Sequence, residues 1–493
     1  MQSFAEKLQS TATSFGGFVP ELVLSAGIVI IVVAGLIARK QPVWTALLCA
    51  LVFLASLLFE LTYWNAYATP RGLFSNMLRS DSFSAYLRII IDISGLLTVF
   101  MTTRDPKPLR FHAEYYALLA TVILGAHLLV MSQSLAMVFL SLEMISLSSY
   151  VLAGFSFSRH GTEGSLKYFL FGSVSSAAML YGFSFLYGLT GTLDFSAPEF
   201  ARQLIEHPSP LFFVAAAFAL AGFFFKIAAA PLHPWVPDVY EAAPTPVVAF
   251  FAVVPKLAGL GVLARFTLVL QAGGHAIFDW QLVLCAVAIL SLTVGNFSAL
   301  WQKNAKRLMG YSSVAQSGFL LVGIAAFLPQ GIHYLLFYAS AYAVGSFIVF
   351  LYLHYFERLG FSSLESFAGT GRVWLWPSVF LLIGFISLTG LPPTGGFTGK
   401  LFIFTSLWDA YQLSGKSIVL WLMIFGLLNT VVSLFYYLRI PFFAFVRNGK
   451  HVATTNNLTF ENLLGLLLVV GILFLFFNPG LLMGWINKIN FAL

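Results

Sequence analysis

Residues 221–238 read AGFFFKIAAAPLHPWVPD, and residues 387–400 read SLTGLPPTGGFTGK. Each is an apolar stretch interrupted by prolines: Pro231, Pro234 and Pro237 in the first, Pro392 and Pro393 in the second. Proline removes a helix donor and clashes one turn back, so a helix through either stretch must break. Each stretch also holds a lysine, Lys226 or Lys400, among apolar neighbours. What a break means depends on the surrounding solvent, and composition supplies that. The hydrophobic set is 59% of 493 residues. Replacing the 19 Tyr by the 40 Gly in that set gives roughly 63%, against about 45–50% in a soluble average. Charged residues are 9%, against about 25%. So few charges cannot cover a soluble chain of this length. The sequence therefore reads as an all-α polytopic membrane protein with the lipid bilayer as its solvent. Soluble enzyme, secreted disulfide scaffold and disordered chain are excluded together.

A spanning helix needs about 20 mostly apolar residues. Fourteen such segments lie near 18–38, 43–62, 83–103, 111–131, 134–157, 163–189, 209–230, 243–270, 277–300, 306–328, 330–356, 373–408, 417–446 and 462–485. They are numbered here as spans 1–14. The first is too long for a signal-peptide core, and only Lys7 precedes it as a base, so it is expected to stay as a span. The proline breaks fall in spans 7 and 12, five apart. That spacing suggests two five-helix repeats, spans 4–8 and 9–13, and an odd repeat length inverts the second copy in the membrane. The expected organisation is a three-helix segment at 1–108, a first repeat at 109–272, an inverted repeat at 273–446 and a last helix at 447–493. Polar interruptions reach only about 20 residues, which leaves no room for a large soluble domain. In the interruption at 357–372, Phe361, Leu364 and Phe367 recur every three residues, enough to suggest a short surface helix.

Fourteen of the 26 bases lie in or beside the odd-numbered connections, Arg39, Lys40, Lys107, Arg110 and Lys450 among them. Eight lie on the other side, including Lys7, Arg88 and Arg265, and four are inside spans. The positive-inside rule then puts both termini on the non-cytoplasmic side. The net charge of +7 reads as this orientation signal, with no nucleic-acid partner required.

The four internal bases are Lys167, Lys226, Lys256 and Lys400, and Glu143 is their acidic counterpart in VFLSLEMISL. A charge at the bilayer centre costs about 2.5–3.5 kcal/mol or more. Lysines near a span end can snorkel to the interface, a reading open for Lys167. The others must face the interior, pair or lose a proton. Desolvation favours a neutral amine and a nearby carboxylate favours the ammonium, so moving the carboxylate would switch a buried lysine between holding and releasing a proton. Broken backbone at membrane depth lines a cavity or is buried in protein, and paired interrupted spans point to a transport site. His233, between Pro231 and Pro234, could shuttle protons or cap freed carbonyls. His127 and His333, in or near spans, are weaker members of any polar path, and Asp92, also mid-span, is a weaker candidate than Glu143 for the lysines' carboxylate partner. The repeat is imperfect in its lysines: five residues before Pro392 stands Ser387, where Lys226 precedes Pro231. Two cysteines, Cys49 and Cys285, exclude a cysteine-ligated cluster or a Cys-rich zinc site from this chain alone. GGFTGKLF lacks the full phosphate-loop spacing, and the GTG at 369–371 lacks the dinucleotide pattern.

KIAAAPLHPWVPDVYEAAPTPVVAFFAVVPKLA, NAKRLMGYSSVAQSGFLLVG and GLPPTGGFTGKLFIF resemble three signature blocks of the antiporter-like, proton-pumping subunits of respiratory complex I (NADH-quinone oxidoreductase). EYYALLATVILGAHLLVMSQSLAMVFLSLEMISLSSYVLAGF resembles the fourth and fifth helices of that family, so the likeness covers roughly residues 110–445. The length, VPEL at 19–22, VYEAAPTPVVAF and Lys400 look most like subunit N. Subunit M usually has Glu at the last position, and the long C-terminal lateral helix of subunit L is not expected here. The resemblance implies a membrane-arm subunit that moves protons while quinone is reduced elsewhere in the complex. It implies an enzyme subunit with no redox centre of its own, no metal and no bound cofactor. Flavin and iron–sulfur clusters would sit in partner subunits. Its neighbours would be other membrane-arm subunits, especially another antiporter-like subunit and small membrane subunits, in a bacterial inner membrane. Glu143 would match the glutamate of helix 5, Lys167 a lysine of helix 6, Lys226 that of helix 7, Lys256 that of helix 8 and Lys400 that of helix 12. The implied chain runs from a Glu143–Lys226 pair through Lys256 to Lys400. Cation/proton antiporter complexes and membrane-bound hydrogenases contain relatives of the same fold and stay as alternatives.

Overall fold

Apolar runs that must satisfy every backbone donor and acceptor without water become helices, and the computed structural model is built of them. It describes residues 9, 11–37, 41–105, 111–206, 209–274, 279–449 and 460–491. Lys7, Arg39, Lys40, Lys107, Arg110 and Lys450, all used to read orientation, lie outside the described residues. Twelve helices among the described residues are long and apolar enough to cross a membrane. Spans 1–6 are Val19–Ile37, Pro42–Thr62, Ser82–Thr103, His112–Met131, Leu135–Ala153 and Arg159–Thr190. Spans 8–11 are Thr245–Leu270, Trp280–Leu300, Ala305–Ala325 and Pro329–Arg358, and spans 13 and 14 are Ser417–Phe445 and Phe460–Phe477. The two shorter apolar helices, Leu211–Lys226 and Leu375–Thr389, are the first halves of spans 7 and 12. Their second halves are Trp235–Ala242 and Gly395–Ser414. Among the described residues twelve of the fourteen expected spans are therefore helices of spanning length, and spans 7 and 12 are pairs of shorter helices separated where the prolines stand.

Three details differ from expectation. Span 7 does not end near residue 230, because its second half restarts at Trp235 and runs to Ala242. The expected surface helix near 361–367 is a 3-10 turn, Leu364–Phe367, with Leu364 and Phe367 buried. The three-residue spacing is that of a 3-10 helix, and the rings of Phe356, Phe361, Phe367 and Trp374 pack against one another there. Between spans 2 and 3 the chain makes an antiparallel hairpin, Arg71–Leu73 with Leu78–Ser80.

Spans 8, 10 and 11 are the most enclosed, and spans 1, 2, 13 and 14 present most of their surface outward. The N-terminal three spans are fastened to span 8 by one ion pair. Arg265 Nη2 meets Asp81 Oδ1 and Oδ2 at 2.7 and 2.8 Å, and Arg265 Nε donates to Val130 O at 3.2 Å. Asp81 also caps span 3, accepting from Ser84 N at 2.9 Å. Both side chains of the pair are buried. Arg265 and Arg88 are thus interior groups and not loop charges, so two of the eight bases counted opposite the odd-numbered connections leave that tally.

Removing one partner of a buried pair strands the other charge, at a cost of about 3–5 kcal/mol. Asp81→Ala should lower the melting temperature of the detergent-solubilised protein accordingly. Melting at the wild-type temperature would show that the pair does not hold the two regions together.

Candidate functional site

The two breaks have the same end geometry. In span 7, Ala228 takes a left-handed φ of 60°. Ala229 N there donates to Phe224 O at 2.8 Å and Ala228 N to Phe225 O at 3.1 Å. In span 12, Gly390 takes φ 86°, and Leu391 N donates to Ile386 O at 3.1 Å and Gly390 N to Ser387 O at 3.0 Å. Both are the Schellman arrangement that ends a helix. These caps leave other backbone groups over, and side chains from the neighbouring helices take them. Ser291 Oγ of span 9 accepts from Ala230 N at 2.9 Å. Ser317 of span 10 donates to Ile227 O. One residue earlier on the same helix, Gln316 Nε2 donates to Leu388 O at 2.9 Å. Span 10 therefore serves both breaks with adjacent side chains.

Lysines complete the arrangement. Lys226, 4% exposed, is the last residue of its half-helix and donates to Ser146 Oγ of span 5 at 3.0 Å. Span 8 approaches closely here because of Gly259, where a Cβ would lie 2.8 Å from Ile227 Cγ2 and 3.6 Å from Lys226 Cγ. One turn before Gly259 is Lys256, 2% exposed. Pro255 beside it removes a donor from this turn of span 8. Lys256 Nζ donates to Ser313 O at 2.5 Å and Ser313 Oγ at 2.7 Å, with Tyr342 OH at 3.4 Å. Lys400, 3% exposed, reaches back across the span 12 break to Thr389 O at 2.8 Å. Its ammonium lies 3.8 Å from the centre of the Phe319 ring. Gly390 must be glycine for this, since a Cβ there would sit 2.6 Å from Lys400 Cδ.

Hydroxyl and amide groups on span 10 run between the lysines. Ser317 Oγ, whose one hydrogen faces Ile227 O, also lies 3.0 Å from Ser313 O, which brings the span 7 break close to the Lys256 site. Tyr240 OH and Ser313 Oγ are 2.9 Å apart. Ser312 Oγ lies 2.5 Å from Tyr437 OH, and Gln316 Nε2 donates to that same hydroxyl at 3.1 Å. Tyr338 OH donates to Gln316 Oε1. Ser317 and Ser313 thus lie between the span 7 break and Lys256, and Ser312, Tyr437 and Gln316 between there and Leu388, which neighbours the Thr389 that holds Lys400; among the described residues no hydrogen bond joins Lys226 to Ser317 or Lys256 to Ser312. None of Lys226, Lys256 and Lys400 forms an ion pair among the described residues.

The remaining residues singled out in the sequence fall into different places. Glu143 is half-buried on span 5, one turn before Ser146, and Ser146 rather than Glu143 takes the Lys226 hydrogen bond. Glu143 Oε1 is buried with no hydrogen-bond partner among the described residues. Lys167 is 42% exposed and pairs with Asp238 at 2.9 Å and Glu163 at 3.0 Å, and Arg307 joins Asp238 at 2.6 Å. That cluster sits at the end of span 7, away from the buried lysines. His233 is half-buried at the break, and its Nδ1 has no hydrogen-bond partner among the described residues. His333 Nε2 lies 3.1 Å from Ile489 O, apart from the route. Ser312, Ser313, Gln316, Ser317, Tyr338 and Tyr437 were not singled out from sequence. The signal for the four on span 10 was the polar run GYSSVAQSG inside an otherwise apolar span; Tyr338 and Tyr437 lie on spans 11 and 13.

A family model described as "NADH:quinone oxidoreductase/Mrp antiporter, TM" matches residues 132–432. NADH-quinone oxidoreductase subunit N of Chlorobium chlorochromatii (strain CaD3) is 36% identical over 489 residues, covering 94% of this chain and 93% of that relative. Among solved structures, a chain of respiratory complex I from Thermus thermophilus with bound aureothin is 28% identical, with a TM-score of 0.80 over 96% of this chain and 100% of that one. A chain of the Mrp complex from Dietzia sp. DQ12-45-1b shares the fold, with a TM-score of 0.82 at 18% identity over 96% of each.

Gln316→Leu would leave Leu388 O and the Tyr338 hydroxyl without their partner, at about 1–3 kcal/mol for each group stranded in the interior. The variant should melt well below wild type in detergent. Equal melting would mean that the span 12 break does not depend on Gln316.

Proposed function

The chain belongs to the NADH:quinone oxidoreductase/Mrp antiporter transmembrane family and matches subunit N of NADH-quinone oxidoreductase over nearly its whole length, and from that premise we propose that Lys226, Lys256 and Lys400 pass protons along span 10. The chain is an integral membrane, proton-translocating subunit of NADH:quinone oxidoreductase. In the proposed cycle Lys226 becomes neutral as its proton leaves, Lys256 receives that proton, and Lys400 receives it next, with Ser317, Ser313, Ser312, Tyr437 and Gln316 lining the way between them. Glu143, one turn before Ser146 on span 5, is the carboxylate that acts on Lys226. A change of that carboxylate's position or charge, arriving from a neighbouring subunit, is the trigger. The observation that carries the reading is that all three buried ammonium groups rest on neutral oxygens. Each can hold or release a proton without leaving a broken ion pair in the bilayer. Lys167, tied to Asp238 and Glu163 at the surface, secures the end of span 7. His233 stands at the break as a route to or from Lys226.

In this reading spans 4–8 and 9–13 are the two inverted repeats, and span 10 is the seam between them. The chain carries no redox group of its own, and flavin and iron–sulfur chemistry belongs to partner subunits. Other membrane-arm subunits, including a further antiporter-like one, flank it in a bacterial inner membrane. The base bias of the connections puts both termini on the non-cytoplasmic side.

The test is NADH-driven proton uptake in inverted vesicles containing the assembled complex. Lys226→Met should lower the proton-to-electron ratio while the complex still assembles. A wild-type ratio in a normally assembled variant would sink the lysine route. Ser313→Ala should lower the ratio less, because Lys256 keeps the Ser313 carbonyl. Lys167→Met should leave it near wild type, and a loss equal to that of Lys226→Met would move Lys167 into the route.

A further inference from the structure

Spans 1–4 enclose a second set of ionisable groups, separate from the lysine route. Glu21 of span 1, Glu60 of span 2, Arg88 and Asp92 of span 3 and His127 of span 4 are all 0% exposed. Arg88 Nη1 lies 2.7 Å from Glu21 Oε1 and 2.9 Å from Glu60 Oε1. His127 continues the line, with Nδ1 3.3 Å from Glu21 Oε1 and Nε2 3.3 Å from Asp92 Oδ1. Ser56 donates to Asp92 Oδ2 at 2.8 Å. The Tyr67 ring, from the turn after span 2, lies 5.1 Å from the Arg88 guanidinium. These are the charged and titratable groups that face the cluster from the elements packed around it.

Their charges do not balance. With Arg88 and His127 cationic and all three acids ionised, the cluster would carry one net negative charge. With His127 neutral it would carry two. An uncompensated buried ion costs several kcal/mol even after relaxation. A carboxyl must therefore keep a proton. Glu21 has both Arg88 and His127 against it, and Asp92 has Ser56 and His127. Glu60 has Arg88 as its one cationic contact, with Tyr67 beside it, and neither of its oxygens meets full hydrogen-bond geometry with a partner among the described residues. Single donor atoms of Glu21, Glu60 and His127 lie within 4.8 Å of one another, a spacing that would also suit a small cation. Arg88 already sets its positive charge against both carboxylates, which leaves a proton as the cation that fits.

We infer that Glu21, Glu60, Arg88, Asp92 and His127 form a second proton-binding site, loaded at Glu60 and exchanging through His127. The carboxyl hydrogen of Glu60 passes to the Glu21 carboxylate. It moves from Glu21 to Nδ1 of the neutral His127 ring as the hydrogen on Nε2 passes to Asp92, so the proton count of the ring is unchanged while its tautomer switches from Nε2–H to Nδ1–H. The inference deepens the translocation reading, on which it depends for the exchange to occur during turnover.

The experiment is infrared difference spectroscopy of the intact complex, triggered by NADH. Wild type should show a protonated-carboxyl C=O band that shifts in D2O. Glu60→Gln should lose it, and Glu60→Asp should restore it at a displaced frequency. A band unchanged in Glu60→Gln overturns the inference. If Glu60→Gln does not assemble, Glu60→Asp decides: a displaced band supports the site and an unmoved band overturns it. Lys226→Met, measured in parallel, separates the two readings. A lowered pumping ratio there with no Glu60 band leaves the lysine route standing and removes this site. A Glu60 band together with a normal ratio in Lys226→Met does the reverse.

Discussion

Two helices that stop inside the bilayer leave peptide groups without partners, and an unpaired group in that medium costs several kcal/mol. Most of the polar side chains on the lysine route answer that cost. Ser317 and Ser291 serve the span 7 break, and Gln316 and Lys400 serve the span 12 break. The residues that make the breaks tolerable are therefore the residues that line the route between them. Span 10 can do this because it is among the most enclosed helices of the bundle, so both breaks are within reach of adjacent side chains on one helix.

The scarce charges are used in two opposed ways. In spans 1–4 and at Asp81–Arg265 acids and bases are in direct contact, so these ions stabilise packing between helices far apart in sequence. Lys226, Lys256 and Lys400 touch hydroxyls and carbonyls instead. A buried ion pair resists loss of either partner, since the remaining charge would be stranded. A lysine held by neutral oxygens has no such lock. The same composition thus supplies ion-paired contacts between helices in spans 1–4 and at Asp81–Arg265, and unpaired ammonium groups on neutral oxygens at Lys226, Lys256 and Lys400.

Much of this was legible in sequence, and the reasons are local. Hydropathy over about 20 residues marks a span, and a proline marks a break wherever it falls inside one. The three buried lysines stood out because their apolar flanks are contiguous in the chain. Arg88 and Arg265 were misread as orientation charges because each lies near a span end, and their partners are 67 and 184 residues away. The Ser and Gln groups of span 10 were passed over because such residues are tolerated in a helix, and nothing local shows that they face two breaks. Glu143 and Lys226 were expected in contact, and no feature of span 5 alone indicates that Ser146 would stand between them.

The two breaks also explain why their lysines occupy different positions. Aligning the left-handed residues, Ala228 with Gly390, places Leu388 where the first break has Lys226, and Asp238 where the second has Lys400. Asp238 is drawn to the surface by Lys167 and Arg307, while Lys400 turns inward to Thr389 O. Yet both ammonium groups belong to the same end of their span. Lys226 closes its first half-helix, and Lys400 donates to the last residue of the corresponding half-helix. A helix C-terminus carries the negative end of the peptide dipole and free carbonyls, so it is a place within the bilayer where a cation meets a favourable field. A lysine can reach it from the half-helix before the break or from the one after. The lysines therefore differ in sequence position while the field that holds them comes from the same feature of the fold.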